Sequence, residues 1–143
     1  MKFSLWRENG ALNSQSVFDA FADSLMDAGH DVSNNDRSSD VDVIWSVLWH
    51  GRMAANQRIW QDNQRNKKPT IVLEVGGIKR GTTWKVGLNG INRDAYFGPT
   101  GNDYTRANKL GLHLKNWRTE GNYILICCLL YTSPSPRYLR LSR

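Results

Sequence analysis

The sequence predicts an α/β protein, a Rossmann-like three-layer domain with a mainly parallel sheet, truncated at its carboxyl end. Two observations lead there. Short apolar runs rich in β-branched and aromatic residues alternate with two longer stretches of helical periodicity, Gln15 to Ala28 and Met53 to Asn66. Several of those apolar runs also end abruptly in glycine-containing turns, as at Asn9-Gly10, His50-Gly51 and Gly76-Gly77. Strands separated by helical patterns of ten or more residues imply βαβ crossovers and parallel neighbours.

Lys2 to Trp6 reads as the first strand, closed by the turn at Asn9 and Gly10. Asn13 or Ser14 then caps a helix, because a side-chain oxygen there accepts from the unpaired amides of the first turn. Val17, Phe18, Phe21, Leu25 and Met26 recur at three- and four-residue spacing, so one helix face is buried. Gly29 is the stop signal. His30 to Val32 opens a short second strand, and Ser33 to Asp40 reads as loop.

Val41 to Leu48 has the near-continuous apolar character of a strand covered on both faces. In the helix that follows, Ile59 and Trp60 point to the core while Gln57, Arg58, Gln61 and Asp62 face solvent. Lys67-Lys68-Pro69 breaks it. Thr70 to Val75 is the clearest strand. Ile78 to Asp103 reads as one long irregular region, Tyr104 to Leu110 as a short helix and Asn122 to Cys127 as a last buried strand.

The 143 residues carry 19 basic and 13 acidic side chains, a formal charge of +6. Three of the basic residues, Arg137, Arg140 and Arg143, lie in the final segment; without them the balance is 16 to 13, or +3. Apart from Arg65-Asn66-Lys67-Lys68, which reads as the polar end of a helix where cations complement the dipole, the remaining Lys and Arg interleave with Asp and Glu, which argues against nucleic acid as a partner, since counterion release rewards clustered cations. No window approaches the ~20 apolar residues of a membrane span, and no signal-peptide pattern opens the chain. Cytoplasm is the expected location. No Cys/His/Asp cluster has metal-ligand spacing, and no cofactor signature is present, so neither metal nor cofactor is expected.

In open α/β sheets ligands sit beyond the carboxyl ends of the strands, which directs attention to Trp49-His50-Gly51-Arg52 and to Gly76 onward. Glu74 to Asn102 holds seven glycines, with Lys79, Arg80 and Lys85 as phosphate-neutralising cations. Neither the Walker pattern nor the dinucleotide fingerprint is there. The candidate catalytic residues are His50, as a base just past a strand end, and Glu74, a carboxylate inside an apolar strand that must face the cleft or pair with Lys85, Arg80 or Arg52. The candidate ligand-binding residues are Trp49, Arg52, Gly76, Gly77, Lys79, Arg80, Trp84 and Lys85. Trp49 and Trp84 lie beside these loops, placed to stack on a sugar or base, whereas Trp45 and Trp60 occupy core-like positions. A structural role competes with each: His50 as a hydrogen-bonding group, Glu74 in an ion pair, the glycines as a loop folded on itself. Asp40 and Asp42, at a strand start away from the cleft, read as solvated.

The segment Cys128-Leu129-Leu130-Tyr131-Thr132-Ser133-Pro134-Ser135-Pro136-Arg137 resembles the translation of an adapter used to prepare sequencing libraries. The resemblance implies a domain over 1–127 that is the N-terminal half of a larger protein, and a non-native, disordered tail over 128–143.

The segments Asp42-Val43-Ile44-Trp45-Ser46-Val47-Leu48-Trp49-His50-Gly51-Arg52-Met53, Leu73-Glu74-Val75-Gly76-Gly77 and Tyr96-Phe97-Gly98-Pro99-Thr100-Gly101-Asn102 resemble a family of uncharacterised proteins of environmental phage. That family is in turn distantly similar to the first domain of two-domain, GT-B-like glycosyltransferases. The resemblance implies an acceptor-side domain, inactive alone, whose missing C-terminal domain would bind most of a nucleotide-sugar donor while this half holds a glycan acceptor. Two other readings stand beside it: a nucleotide or nucleic-acid phosphate-binding module, and a non-enzymatic phage structural or interaction domain.

Overall fold

A computed structural model describes residues 1–96, 104–113, 115–116 and 119–121. The chain divides into two compact units, Met1–Thr100 and Gly101–Arg143. In the second, Thr105–Lys109 forms a short helix within the expected Tyr104 to Leu110 stretch. The expected strand at Asn122 to Cys127 and the tail after it lie outside the described residues.

The first unit is built on a five-stranded sheet. Its strands are β1 (Lys2–Leu5), β2 (Asp31–Asn34), β3 (Val41–Trp45), β4 (Thr70–Val75) and β5 (Trp84–Leu88), in the spatial order β2-β1-β3-β4-β5. The first four run parallel to their neighbours, and β5 pairs antiparallel with β4. Helix α1 (Gln15–Asp27) joins β1 to β2, and α2 (Ala54–Asn66) joins β3 to β4.

Side-chain alternation along the strands assigns each helix to its own face of the sheet. Phe3, Leu5, Val41, Val43, Trp45 and Leu73 pack with Phe18 and Ala22 of α1. On the other face Ile44 and Val72 pack with Trp6, Ile59 of α2, and Ile91 from the turn after β5. All five residues of β3 are buried, as expected of a strand covered on both sides.

The structure departs from the sequence expectations in three places. First, residues 78–103 are not one irregular region: Trp84 to Leu88 form β5, which makes the glycine-rich segment before it a hairpin loop. Second, β2 runs on to Asn34, past the expected Val32, and reaches β3 without a helix, as the loop expected there implies. Only residues 35–40 connect them, although parallel strands usually need a dozen or more. This short crossover is tied down along its length: the Asp36 amide donates to the Oγ of buried Ser4 (2.7 Å), the Asp40 amide to the carbonyl of Lys2 (2.9 Å), and Lys2 Nζ meets the Asp36 carboxylate at 2.5 Å.

Third, β3 ends at Trp45 rather than Leu48. Ser46 adopts a left-handed φ of 63°, which breaks the strand. Its Oγ accepts from the Leu48 amide (3.1 Å), so the chain turns sharply and carries Val47 and Trp49 toward the α2 face.

Candidate functional site

Two parallel units, β1-α1-β2 and β3-α2-β4, leave the centre of the sheet in opposite directions, so the strand order reverses between β1 and β3. Such a reversal opens a crevice at the carboxyl ends of the two strands. Asn56, fully buried near the start of α2, bridges this point: its Nδ2 donates to the carbonyl of Trp45 at the end of β3 (2.8 Å) and to that of Asn9 after β1 (3.2 Å).

On the α2 face, between α2 and the turn that follows β5, lies a cleft of about 220 Å³ lined by Val47, Trp49, Trp60, Gly90, Ile91 and Asp94. Its volume equals about seven molecules of liquid water, room for one six-membered ring rather than a dinucleotide. The Trp49 and Trp60 rings stand 5.8 Å apart, tilted by 43°. Trp60 Nε1 donates to the Asn89 carbonyl (3.4 Å), which fixes that indole's orientation.

The cleft's third wall is the turn after β5, and its shape depends on two glycines. A Cβ at Gly87 would come within 2.3 Å of the Gly90 carbonyl oxygen, and one at Gly90 within 2.7 Å of the Asp94 carbonyl oxygen. The turn is anchored by Asn89, left-handed at φ 60°, whose Oδ1 accepts from the Thr70 amide (2.9 Å). Ile91 thereby reaches the core, 7% exposed.

The structure distributes the sequence-selected residues unevenly. Trp49 lines the cleft, and His50 and Arg52 follow it, both exposed at the entrance to α2. Glu74 and Lys85 are cross-strand neighbours, yet the expected ion pair is not made. Glu74 Oε1 accepts from the adjacent Val75 amide (2.7 Å), while Lys85 Nζ donates to Asn92 Oδ1 (3.0 Å). Asn92, within the cleft's turn and left-handed at φ 57°, offers the ammonium a closer acceptor.

Gly76 and Gly77 open the hairpin between β4 and β5. The Gly76 amide donates to the Thr83 carbonyl (2.9 Å), and a Cβ there would meet that oxygen at 2.2 Å, so the residue closes the hairpin. The Lys79 carbonyl accepts from the amides and hydroxyls of both Thr82 and Thr83, all within 3.2 Å. The loop is therefore wound on itself, with the Lys79 and Arg80 side chains exposed. Trp84 lies on the opposite face, its ring 5.9 Å from Trp45 in an edge-on contact.

The Gly90–Asp94 turn falls within the Glu74 to Asn102 segment singled out in the sequence, but Trp60, read as core, escaped that reading. So did Asp42, expected to be solvated but only 1% exposed. Its Oδ1 accepts from Trp6 Nε1 (2.9 Å) and Ser39 Oγ (3.1 Å), and its Oδ2 from Asn63 Nδ2 (2.7 Å) and Lys68 Nζ (2.9 Å). The carboxylate is satisfied on both oxygens, which is what makes its burial tolerable. Asp40 is exposed, as expected, and accepts from the Lys2 amide (2.8 Å).

Among the described residues no group of three His, Cys, Asp or Glu is arranged to hold a metal ion, and no helix is long and apolar enough to cross a membrane. No protein-family model, curated protein or solved structure matches the chain. Fold and site thus define a class: an α/β domain with a mixed sheet and a ring-sized, tryptophan-walled cleft between its second helix and the turn after its antiparallel edge strand.

Proposed function

We propose that the domain binds a single sugar ring in the Trp49–Trp60 cleft, as the acceptor-side half of a glycosyltransferase-like protein. The cleft itself carries this reading. Aromatic faces stack on the C–H surface of a sugar, and the wall at Gly90, Ile91 and Asp94 sets polar residues beside them. His50, next in the chain to Trp49, is the candidate proton acceptor for an acceptor hydroxyl.

A phosphate-binding role finds less support. Lys85 is engaged by Asn92, and the hairpin loop carrying Lys79 and Arg80 directs its hydrogen bonds inward. A purely structural role would not need a cleft of this kind.

Saturation-transfer NMR with a panel of methyl glycosides is the direct test. At least one glycoside should give ring-proton signals with the wild-type chain that vanish in Trp60→Ala. Binding that survives Trp60→Ala, or no binding by any glycoside, would exclude this site as a sugar subsite.

A further inference from the structure

On the flank of α2 away from the cleft, three arginines converge on one carboxylate. Arg37 Nη1 lies 3.3 Å from Asp62 Oδ2, Arg58 Nε 4.0 Å from the same oxygen, and Arg65 Nη1 3.4 Å from Asp62 Oδ1. Three positive charges against one negative leave the cluster at +2. The Arg37 and Arg65 contacts are long for charge-assisted hydrogen bonds and Arg58 lies beyond hydrogen-bond reach, although a guanidinium's planar fork is suited to two short parallel bonds with an oxyanion. The cluster therefore keeps unused donors and an unbalanced charge at the surface, with the arginine side chains 56%, 84% and 74% exposed.

The cluster is also held in place. Arg58, Asp62 and Arg65 are spaced so as to form one stripe along α2. Arg37 belongs to the short β2–β3 crossover, and its guanidinium lies 5.0 Å from the centre of the Trp6 ring. That ring is itself fixed by its bond to buried Asp42, and the Arg37 carbonyl accepts from Lys68 Nζ (3.4 Å). Lys68 adds no net charge here, because it neutralises Asp42.

We infer that this stripe is a docking surface for the acidic residues of a polysaccharide, with Asp62 occupying in the ligand-free chain the place of a sugar carboxylate. The inference rests on the sugar reading of the cleft, whose Trp60 projects from the same helix. An acidic glycan with one ring in the cleft would pass over α2 to reach the arginines. Outside the cleft, bases would find no exposed aromatic partner along the stripe, since Trp6 is only 9% exposed, so a nucleic-acid strand would lack stacking where its phosphates meet the arginines, and this favours a glycan.

The test measures affinity of the whole chain for an oligouronate, for a neutral oligosaccharide of equal length and for an oligonucleotide of equal charge, at several salt concentrations. Arg58→Gln with Arg65→Gln should weaken oligouronate binding about fivefold or more and leave the neutral oligosaccharide unaffected. Asp62→Asn, which removes the internal competitor, should tighten it. Unchanged oligouronate affinity in both variants, or tighter binding of the oligonucleotide, overturns the inference. The two readings fail separately: a cleft that binds no sugar shows itself with the neutral oligosaccharide and Trp60→Ala, whereas failure of the arginine surface leaves that binding intact.

Discussion

Asp42 and Lys68 form an ion pair of 2.9 Å in which the carboxylate is 1% exposed and the ammonium side chain 17%. Around it, one carboxylate joins the end of β1 through Trp6, the crossover through Ser39, and α2 through Asn63. Replacing Asp42 by Asn would set an amide donor against the Asn63 and Lys68 donors and leave Lys68 without its counter-charge. Loss of one member of a buried pair costs about 3–5 kcal/mol. Asp42→Asn should therefore lower the urea midpoint sharply, and a shift within experimental error would show that the network contributes nothing to stability.

Trp84 and Trp60 separate packing from binding. Trp84 contacts Trp45 on the α1 face, so Trp84→Ala removes part of the core and should cost about 2 kcal/mol, less than a fully buried tryptophan because the side chain is half-buried. It should leave glycoside binding unchanged. Thermal denaturation alongside ligand-observed NMR checks both halves; loss of binding in Trp84→Ala would place ligand contacts on the wrong face of the sheet.

Gly90→Ala puts a methyl group 2.7 Å from the Asp94 carbonyl oxygen. The turn must shift to make room, at about 1–3 kcal/mol, and the cleft wall shifts with it. Reduced glycoside affinity together with reduced stability is expected. Gly77→Ala, where a Cβ meets nothing within 4 Å, is the control and should be silent in both measurements.

The Lys2–Asp36 pair contributes to the acid limb of stability. The Lys2 ammonium, with the Ser38 hydroxyl and amide, holds the Asp36 carboxyl well below the usual carboxylate range. Because the folded pKa is depressed, the contribution is present above the unfolded pKa, near 3.8, and is lost as pH falls through the folded value. Asp36→Asn should thus flatten the stability profile below about pH 4 and lower stability slightly at neutral pH. Both residues are at the surface, so high salt should shrink the difference. Identical acid profiles for the two proteins would refute this assignment.

The elements most visible in the sequence were those with one dominant pattern. Thr70 to Val75 has the composition and sharp glycine stop of a strand, and β4 spans those residues. The two long helices follow their apolar periodicity, within a residue or two of the expected bounds. By contrast, β5 is marked by the alternation of Trp84, Val86 and Leu88 on one face, which Lys85, Gly87 and the surrounding glycines obscure. Asp42 reads as solvated because its burial depends on donors 21 and 26 positions away, at Asn63 and Lys68, and on Trp6 earlier in the chain. A local signal did exist: Asn56 and Asn63 flank Ile59 on the inward side of α2, a polar stripe that implies buried partners. For the site, Trp49 was legible from its position after a strand. Trp60 was not, since its helical spacing matches a core residue until the turn after β5 is seen to stop short of covering it.

The six-residue crossover also bears on how the sheet assembles. Pairing β1 with β3 closes a chain separation of nearly forty residues, an entropically costly step when taken alone. Once β2 has docked on one edge of β1, the short tether holds β3 at high effective concentration beside the other edge. The central strand thereby acquires both neighbours in what amounts to a single encounter, and the fold's longest-range pairing becomes a local event.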